Sequence, residues 1–365
     1  MIMRMTQRKV FALWAFLFSV CTMCTAVPLA YAETATYMRM RVDDVVHETR
    51  EAISGTDTYR MVQTLSATVV DGERRGERIE IENDRIPLAD GDVFFAKVVT
   101  VGEGEMISVY DADRTRVLSI LGIVFVAMTL LFGGKQGARS LGSLFVSIAV
   151  IAFVLLPLLS LGFPPVPTAT GIGVGMLFVA IFLTHGWNKG SAVAFGGTAL
   201  AVVLTGLIAW VVLGVGMFTG LSSDESLSIA LGTTGHIDLA GILLASVIIG
   251  ALGVLDDVGI TQVSVTRELC ATGGRTRREV YQSAMKVGKD HIGALINTLV
   301  LAYAASALPL LLLFTLSQEM PAIVLINGEA IAEEIVRALA GSIGLIVAVP
   351  LTTYVAVRTF FVSQR

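Results

Sequence analysis

The chain of 365 residues is too apolar for a soluble domain, since 54% of its residues are hydrophobic, only 15% are charged and 36 are glycines. This composition indicates a protein that crosses a lipid bilayer several times. The net charge of -4 is small, so nucleic-acid binding is not expected. The three cysteines have neither metal-ligand spacing nor the pattern of a disulfide framework.

Residues 1–32 have the pattern of a targeting segment. Arg4, Arg8 and Lys9 precede the apolar run VFALWAFLFSVCTMCTAV, and the A-x-A cleavage pattern AYA follows it. The apolar run is long for a signal peptide, so an uncleaved signal anchor remains an alternative. In either case we expect residues 33–116 to be exported.

The exported segment contains no long apolar run and alternates between polar and apolar residues. The stretches TYRMVQTLSATVV, IEIEN, ADGDVFFAKVV and MISVYDA are predicted strands, and DGERRGER is a predicted turn. We therefore expect a small β-barrel-like domain over residues 33–116. Its charged residues are typical of a solvated surface.

The remaining residues, 117–365, are predicted to form a membrane-embedded all-α helical bundle of seven transmembrane helices. Each run is close to the roughly 20 residues that a bilayer requires. Loop lysines and arginines from Lys135 to Arg365 fall on one side, with only Arg337 opposite. The positive-inside rule places that side, with the C-terminus, in the cytoplasm. The runs cover residues 117–133, 140–161, 170–185, 191–218, 239–265, 291–317 and 338–357.

The run over residues 239–265 contains two adjacent carboxylates, Asp256 and Asp257, and no basic residue. Carboxylates inside an apolar span are costly and usually functional. Counted back from Arg267, they lie roughly 15 Å into the span at the helical rise. In the alternative interpretation the helix ends near Leu255 and the aspartates lie among the lipid headgroups.

Asn297 is the polar residue of the following span that we expect at the same depth. It lies roughly 12 Å beyond Lys289 at the helical rise, so Asp256, Asp257 and Asn297 are predicted to form one layer that binds or relays a proton or another cation. Adjacent helical residues point about 100° apart, so one aspartate should face the cavity; Asp257 is favoured because Thr261 lies one turn on. Supporting polar groups are expected from Thr261, Gln262, Thr298 and Tyr303.

Between these two spans, residues 276–288 predict an amphipathic helix on the cytoplasmic surface. Thr276 and Glu279 match a capping box, and Val280 and Ala284 begin an apolar stripe at helical spacing. We expect the basic side of this helix to lie along the bilayer surface.

Motifs of known enzymes are missing from the sequence. It has no P-loop, no G-x-S-x-G and no H-E-x-x-H, and His185, His236 and His291 lack metal-ligand spacing. We therefore predict no enzymatic activity, no cofactor and no metal. Two functions remain: a transport protein that uses the aspartates, or a membrane-anchored scaffold or sensor whose exported domain binds a partner.

Three C-terminal stretches resemble the YibE/F family of bacterial membrane proteins. They are IIGALGVLDDVGI, KVGKDHIGALINTLVLAYAASALPLLLLF and INGEAIAEEIVRALAGSIGLIVAVPLTTY. The likeness extends to LADGD and VYDADR in the exported segment, and so over nearly the whole mature chain. It implies a multi-pass membrane protein and indicates no substrate.

A partial likeness concerns mechanism. The order of a small-residue helix, an aspartate, an Arg-Glu pair and a basic amphipathic helix is similar to the transmembrane half of the resistance-nodulation-division and SecD/SecF superfamily. This resemblance implies proton coupling through Asp256 or Asp257, with Arg267 and Glu268 at the cytoplasmic end. An additional helical hairpin and a smaller exported domain depart from that pattern. We expect an ion-coupled transporter or export accessory of the inner membrane, whose partners are the bilayer, a cation and an unidentified substrate or protein.

Overall fold

The structure is a computed structural model that describes residues 36–52, 58–101, 104–232, 237–316 and 321–362. Two compact units divide inside the first long helix, after residue 131. The signal segment predicted for residues 1–32 lies outside the described residues.

The first unit contains an antiparallel sheet of the strands β1 (Thr36–Ala52), β2 (Tyr59–Val69), β3 (Arg78–Asn83), β4 (Val93–Val101) and β5 (Gly104–Ala112). In the sheet the strands lie in the order β3-β2-β1-β4-β5. Four of them correspond to the predicted strands, so the predicted N-terminal β structure is confirmed.

The central strand β1 is not among the predicted strands, because charged residues dominate its sequence. Its first half nevertheless alternates as a half-buried strand should: Met38, Met40 and Val42 are buried in the core of the sheet. Met40 lies opposite Val69 on one side and Phe94 on the other. The apolar residues of three strands thereby meet in one cluster.

The sheet curls so that its edge strands β3 and β5 approach each other. Arg74, in the turn after β2, forms a salt bridge of 2.7 Å with Glu105 on β5. The predicted turn DGERRGER is confirmed, and Gly72 and Gly76 adopt φ values of 83° and 87° that favour glycine. Among the described residues no ladder of hydrogen bonds joins β3 to β5, so the barrel-like domain is an open curled sheet.

Five helical segments of the described chain are long and apolar enough to cross a bilayer, namely Thr115–Ser160, Pro165–His185, Lys189–Val215, Leu239–Ala271 and Glu329–Phe361. A π-helical turn at Ile151–Leu155 lies within the first of them. The helices are α1 (Thr115–Val150), α2 (Leu156–Ser160), α3 (Pro165–His185), α4 (Lys189–Val215), α5 (Asp224–Gly232), α6 (Leu239–Ala271), α7 (Arg277–Ser306), α8 (Leu308–Leu316), α9 (Ala322–Asn327) and α10 (Glu329–Val362).

The difference from seven predicted spans arises at two places. The predicted spans 117–133 and 140–161 share one helical segment, which is kinked rather than ended at Gly134 (φ 52, ψ -133). The predicted span 291–317 is divided between α7 and α8 at Ala307. The division follows from Pro309, because proline is tolerated in the first turn of a helix but not in its interior.

The amphipathic helix predicted for residues 276–288 is the beginning of α7 rather than a separate helix. Its capping box is confirmed: the Glu279 amide donates to the Thr276 hydroxyl at 3.3 Å, and the Thr276 amide donates to the Glu279 carboxylate at 2.7 Å. The helix then continues without a break to Ser306. The predicted surface helix and the first part of the predicted membrane span that follows it therefore form one continuous helix.

The core of the second unit is a group of three helices. Helices α4, α6 and α10 pack against one another, with α3 and α7 on the flanks. Leu244, Ile248 and Leu255 on α6 are among the largest fully buried side chains. Helix α6 therefore lies at the centre of the bundle, and it carries both aspartates.

Candidate functional site

Helix α6 runs unbroken through the two aspartates. It begins after Asp238, whose carboxylate accepts a hydrogen bond from the Gly241 amide at 2.9 Å and so caps the helix. It ends at Ala271. The alternative in which the helix ends near Leu255 is therefore wrong.

Glycines allow threonine side chains to contact neighbouring helices closely. A Cβ atom added to Gly259 would lie 2.0 Å from the Thr198 hydroxyl oxygen, and one added to Gly197 would lie 2.6 Å from that of Thr352. Small residues at helix interfaces are the usual basis of tight packing in membranes. These contacts fix α4 against α6 and α10, and they set the rotation of α6 about its axis.

This rotation turns Asp256 towards the interior and Asp257 outwards. Asp256 is half-buried, between the buried residues Leu252 and Gly259 on the same face, whereas Asp257 is exposed. Asp257 lies near enough to His185, at the end of α3, for their charges to interact. The sequence favoured Asp257 as the inward carboxylate, and the structure places Asp256 there instead.

Asp256 has an unusual hydrogen-bonding state. Its Oδ1 atom is buried and accepts no hydrogen bond from any described residue. The hydroxyl oxygens of Thr198 and Thr352 are buried and unpartnered in the same sense. We call these three residues the polar centre.

The hydroxyls of the polar centre differ from those of other buried threonines in the same helices. Thr205 and Thr353 each donate to a backbone carbonyl one turn back in their own helix, at 2.9 and 2.7 Å. That bond is the common way in which a membrane helix satisfies a hydroxyl group. Because Thr198 and Thr352 lack it, their hydroxyls remain available to another group.

The polar centre extends over about one to two helical turns. Thr198 contacts α6 at Gly259, three residues or roughly 4.5 Å along the axis from Asp256. Thr352 lies against Gly197, the residue beside Thr198. The threonines were not predicted, since a single hydroxyl in an apolar run such as AFGGTALAVV is usually satisfied within its helix.

Gln262, predicted as a supporting polar group, is buried, and its side-chain nitrogen is hydrogen-bonded to two neighbouring helices. Its side-chain amide donates to the Ala284 carbonyl at 2.9 Å and to the Thr353 hydroxyl at 2.7 Å. These bonds join α6 to α7 and α10 close to the polar centre. The geometry gives Gln262 a structural role.

Asn297 lies near the level predicted for it, but it is not hydrogen-bonded to the aspartates. The contacts of α6 with α7 place it within about one turn of the level of Asp256, but its side chain is exposed. No hydrogen bond joins it to either aspartate in the described chain. Thr261 and Thr298 are exposed as well, and the Thr298 hydroxyl donates to a carbonyl of its own helix at 3.0 Å.

Tyr303 lies farther along α7, away from the aspartates. Its hydroxyl oxygen would be 2.4 Å from a Cβ atom added to Gly250 on α6. The guanidinium of Arg337, on α10, lies 5.9 Å from the centre of the Tyr303 ring. Tyr303 thus marks a second polar region of the same interface.

Comparison with known proteins adds one finding. Residues 121–361 match the family model described as YibE/F-like protein. The chain belongs to this family. The match contains both aspartates and the whole polar centre of the YibE/F-like protein, and it begins after the β sheet, so the likeness of LADGD and VYDADR lies outside the matched range. No curated protein and no solved structure matches the chain, and the partial likeness to the resistance-nodulation-division superfamily stays a prediction.

The chemistry of this YibE/F-like site follows from its donors and acceptors. A carboxylate oxygen that is buried without a partner costs free energy, and binding of a proton or a cation relieves that cost. No group of three His, Cys, Asp or Glu side chains in the described chain has the arrangement of a metal site. Hydroxyl groups both donate and accept, so Thr198 and Thr352 suit either protonation state of Asp256.

Proposed function

We propose that this YibE/F-like protein is a proton-coupled transporter or export accessory of the bacterial inner membrane. The observation that carries the proposal is the buried, unpartnered Oδ1 atom of Asp256 in the polar centre. A carboxyl group that alternately binds and releases a proton needs an apolar environment and polar neighbours that accept both states. Asp256 would bind the coupling proton, and Thr198 and Thr352 would position it.

The proposal includes an orientation and a count of crossings. Basic residues gather where α6 ends, α7 begins and α10 ends, which supports a cytoplasmic location for that end of the bundle. The β domain is then outside and the C-terminus inside. Seven crossings arise if the two halves of α1 each cross the bilayer and α7 with α8 forms one crossing. The basic residues are Arg267, Arg275, Arg277, Arg278, Lys286, Lys289 and Arg358.

Charge displacement after a pH jump tests the proton site without knowledge of the substrate. The full-length protein is reconstituted in liposomes on a solid-supported membrane, and the current is recorded when the pH changes. Asp256→Asn should lose most of the displaced charge, because asparagine keeps the volume and cannot titrate. Asp257→Asn should retain most of it, and Glu268→Gln, at an exposed carboxylate of the same helix, serves as the control. A wild-type response in Asp256→Asn would refute the proposal.

A scaffold or sensor is the second candidate, and the independent β unit favours it. A unit with its own core can bind a partner while the helices only anchor it. In that case none of the variants, nor the wild-type protein, should displace charge after a pH jump. The same experiment therefore separates the two functions.

A further inference from the structure

Helix α10 carries a second buried carboxyl group that the polar centre does not use. Glu333 is 7% exposed, and its Oε1 atom is buried without a hydrogen-bond partner among the described residues. It lies one turn into a helix predicted to begin only at residue 338. Its burial is not evident from the surrounding residues, since it stands in the polar stretch GEAIAEEIVR.

The two neighbouring glutamates are already engaged. The Glu329 carboxylate accepts hydrogen bonds from the Thr219 hydroxyl at 2.8 Å and the Gly220 amide at 2.7 Å, and from the Thr219 amide. It therefore anchors the start of α10 to the segment after α4. Glu334 forms a salt bridge with Arg337, one turn farther along α10.

Among the described residues, Glu333 consequently has no counter-charge of its own. The charged groups that act on it are Glu329, Glu334 and Arg337 of its own helix, and the Ser222 hydroxyl, in the segment after α4, lies near its carboxyl group. Arg337 is the only cation of this set, and it pairs with Glu334 and lies over the ring of Tyr303. The two neighbouring carboxylates repel a negative charge on Glu333, and the one guanidinium is already paired with Glu334. A negative charge on Glu333 would therefore not be balanced by this set.

A buried carboxyl group in this state is neutralised by a bound cation or a proton. The arrangement does not suit a metal ion, because no three carboxylates or imidazoles of the described residues converge as ligands. The hydroxyl of Ser222 can donate to one oxygen while the other carries a hydrogen atom. We propose that Glu333 is a second proton-binding group of the protein, at the end of the bundle where α6 and α10 begin.

The position of Glu333 connects it with the polar centre. Ala251 of α6 lies beside Gly341 of α10, which places Glu333 roughly 20 Å from the level of Asp256 at the helical rise. Tyr303 lies between these levels. A role for Glu333 as the outer proton-binding group on a route to Asp256 rests on the proposed function. Proton binding by Glu333 itself depends only on the residues that surround it.

Infrared difference spectroscopy detects the proton directly. Spectra of the full-length protein in lipid are recorded in alkaline buffer and at about pH 6, where exposed carboxyl groups with an ordinary pKa of about 4 remain ionised, in H2O and D2O. Wild type should show a protonated-carboxyl band that shifts in D2O and that is lost in Glu333→Gln. The band should persist at an altered frequency in Glu333→Asp, which keeps the carboxyl group. Glu225→Gln, at an exposed carboxylate near the same end, is the matched control and should leave the spectrum unchanged.

The outcome separates this inference from the proposed function. If Glu333→Gln retains every carboxyl band while Asp256→Asn loses one, Glu333 is an ordinary carboxylate shared with Arg337, and the inference is overturned while the polar centre stands. If Glu333→Gln loses a band and Asp256→Asn loses none, the outer group binds a proton and the proposed role of Asp256 is refuted.

Discussion

The side-chain amide of Gln262 donates a hydrogen bond of 2.7 Å to the hydroxyl of Thr353, and this contact joins α6 to α10 two turns from Asp256. The same amide bonds to the Ala284 carbonyl on α7. Three helices thus meet at one buried side chain. Polar contacts of this kind hold membrane helices in register. The hydrophobic effect does little to hold them together, because lipid tails are as apolar as the side chains of a neighbouring helix.

Gln262→Leu should destabilise the bundle. It removes two buried hydrogen bonds, each worth about 0.5–1.5 kcal/mol, so we expect a loss of about 1–3 kcal/mol in the free energy of unfolding. Denaturant titration of the purified protein, followed by circular dichroism, measures it. Thr261→Val, at the exposed neighbouring position, is the control and should change stability little. Equal stability of both variants would contradict the structural role of Gln262.

Gly259→Ala should separate α6 from α4. The added Cβ atom would lie 2.0 Å from the Thr198 hydroxyl oxygen, and such overpacking costs about 1–3 kcal/mol. The double variant Thr198→Ala with Gly259→Ala should recover most of this loss, since it removes the clashing atom. Gly253→Ala, which meets nothing within 4 Å, provides the control. If the changes in the free energy of unfolding caused by the two single substitutions simply add in the double variant, the two residues are not in contact.

The β domain should fold alone and weaken in acid. It has its own core, and Arg39 on β1 bonds to Asp113, which follows β5, at 2.6 Å. The hydroxyl and amide of Thr115, with Arg39, hold the pKa of Asp113 below its usual range. A lowered carboxyl pKa contributes stability at neutral pH that disappears as the pH falls through the folded-state pKa, here below about pH 4.

Thermal unfolding of residues 33–116, followed by circular dichroism from neutral pH to pH 2, measures this effect. The wild-type domain should give a β-type spectrum and lose stability in acid. Asp113→Asn should lower the midpoint temperature of unfolding at neutral pH, and this temperature should then decrease less in acid than it does in the wild-type domain. Glu73→Gln, at an exposed position, should behave as wild type. A disordered spectrum would mean that the segment needs the helices in order to fold.

The proposed orientation is open to cysteine labelling in intact cells. In a cysteine-free background, Ser223→Cys should react with an impermeant maleimide, because the segment after α4 is predicted to lie outside. Arg275→Cys, between α6 and α7, should react only after the membrane is permeabilised. Labelling of residue 275 in sealed cells would reverse the topology.

The sequence predicted the apolar helices well because their composition is a local property. The positions at which the helices break were harder to predict: Gly134 kinks a helix that was expected to end, and Pro309 divides one that was expected to continue. In strand β1, by contrast, the informative pattern was present but was not recognised. Its alternation of Met38, Met40 and Val42 was present in the sequence, but the charged residues around them concealed it.

The site was predictable only in part, because depth and rotation are different properties. Depth follows from counting residues, and the sequence placed Asp256 and Asp257 correctly inside an unbroken helix. Rotation depends on which residues contact other helices. The contact between Gly259 and Thr198 turns Asp256 inwards, and no pattern within α6 alone contains that information.

The central claim is that Asp256, and not Asp257, is a carboxyl group that is protonated in an apolar environment. Dicyclohexylcarbodiimide, an apolar reagent, modifies such groups, and mass spectrometry of the digested protein locates the adduct. We expect modification at Asp256 that declines as the pH rises, none at Asp257, and loss of the adduct in Asp256→Asn but not in Asp257→Asn. An adduct at Asp257 alone, or no adduct at either aspartate at any pH, would contradict the account.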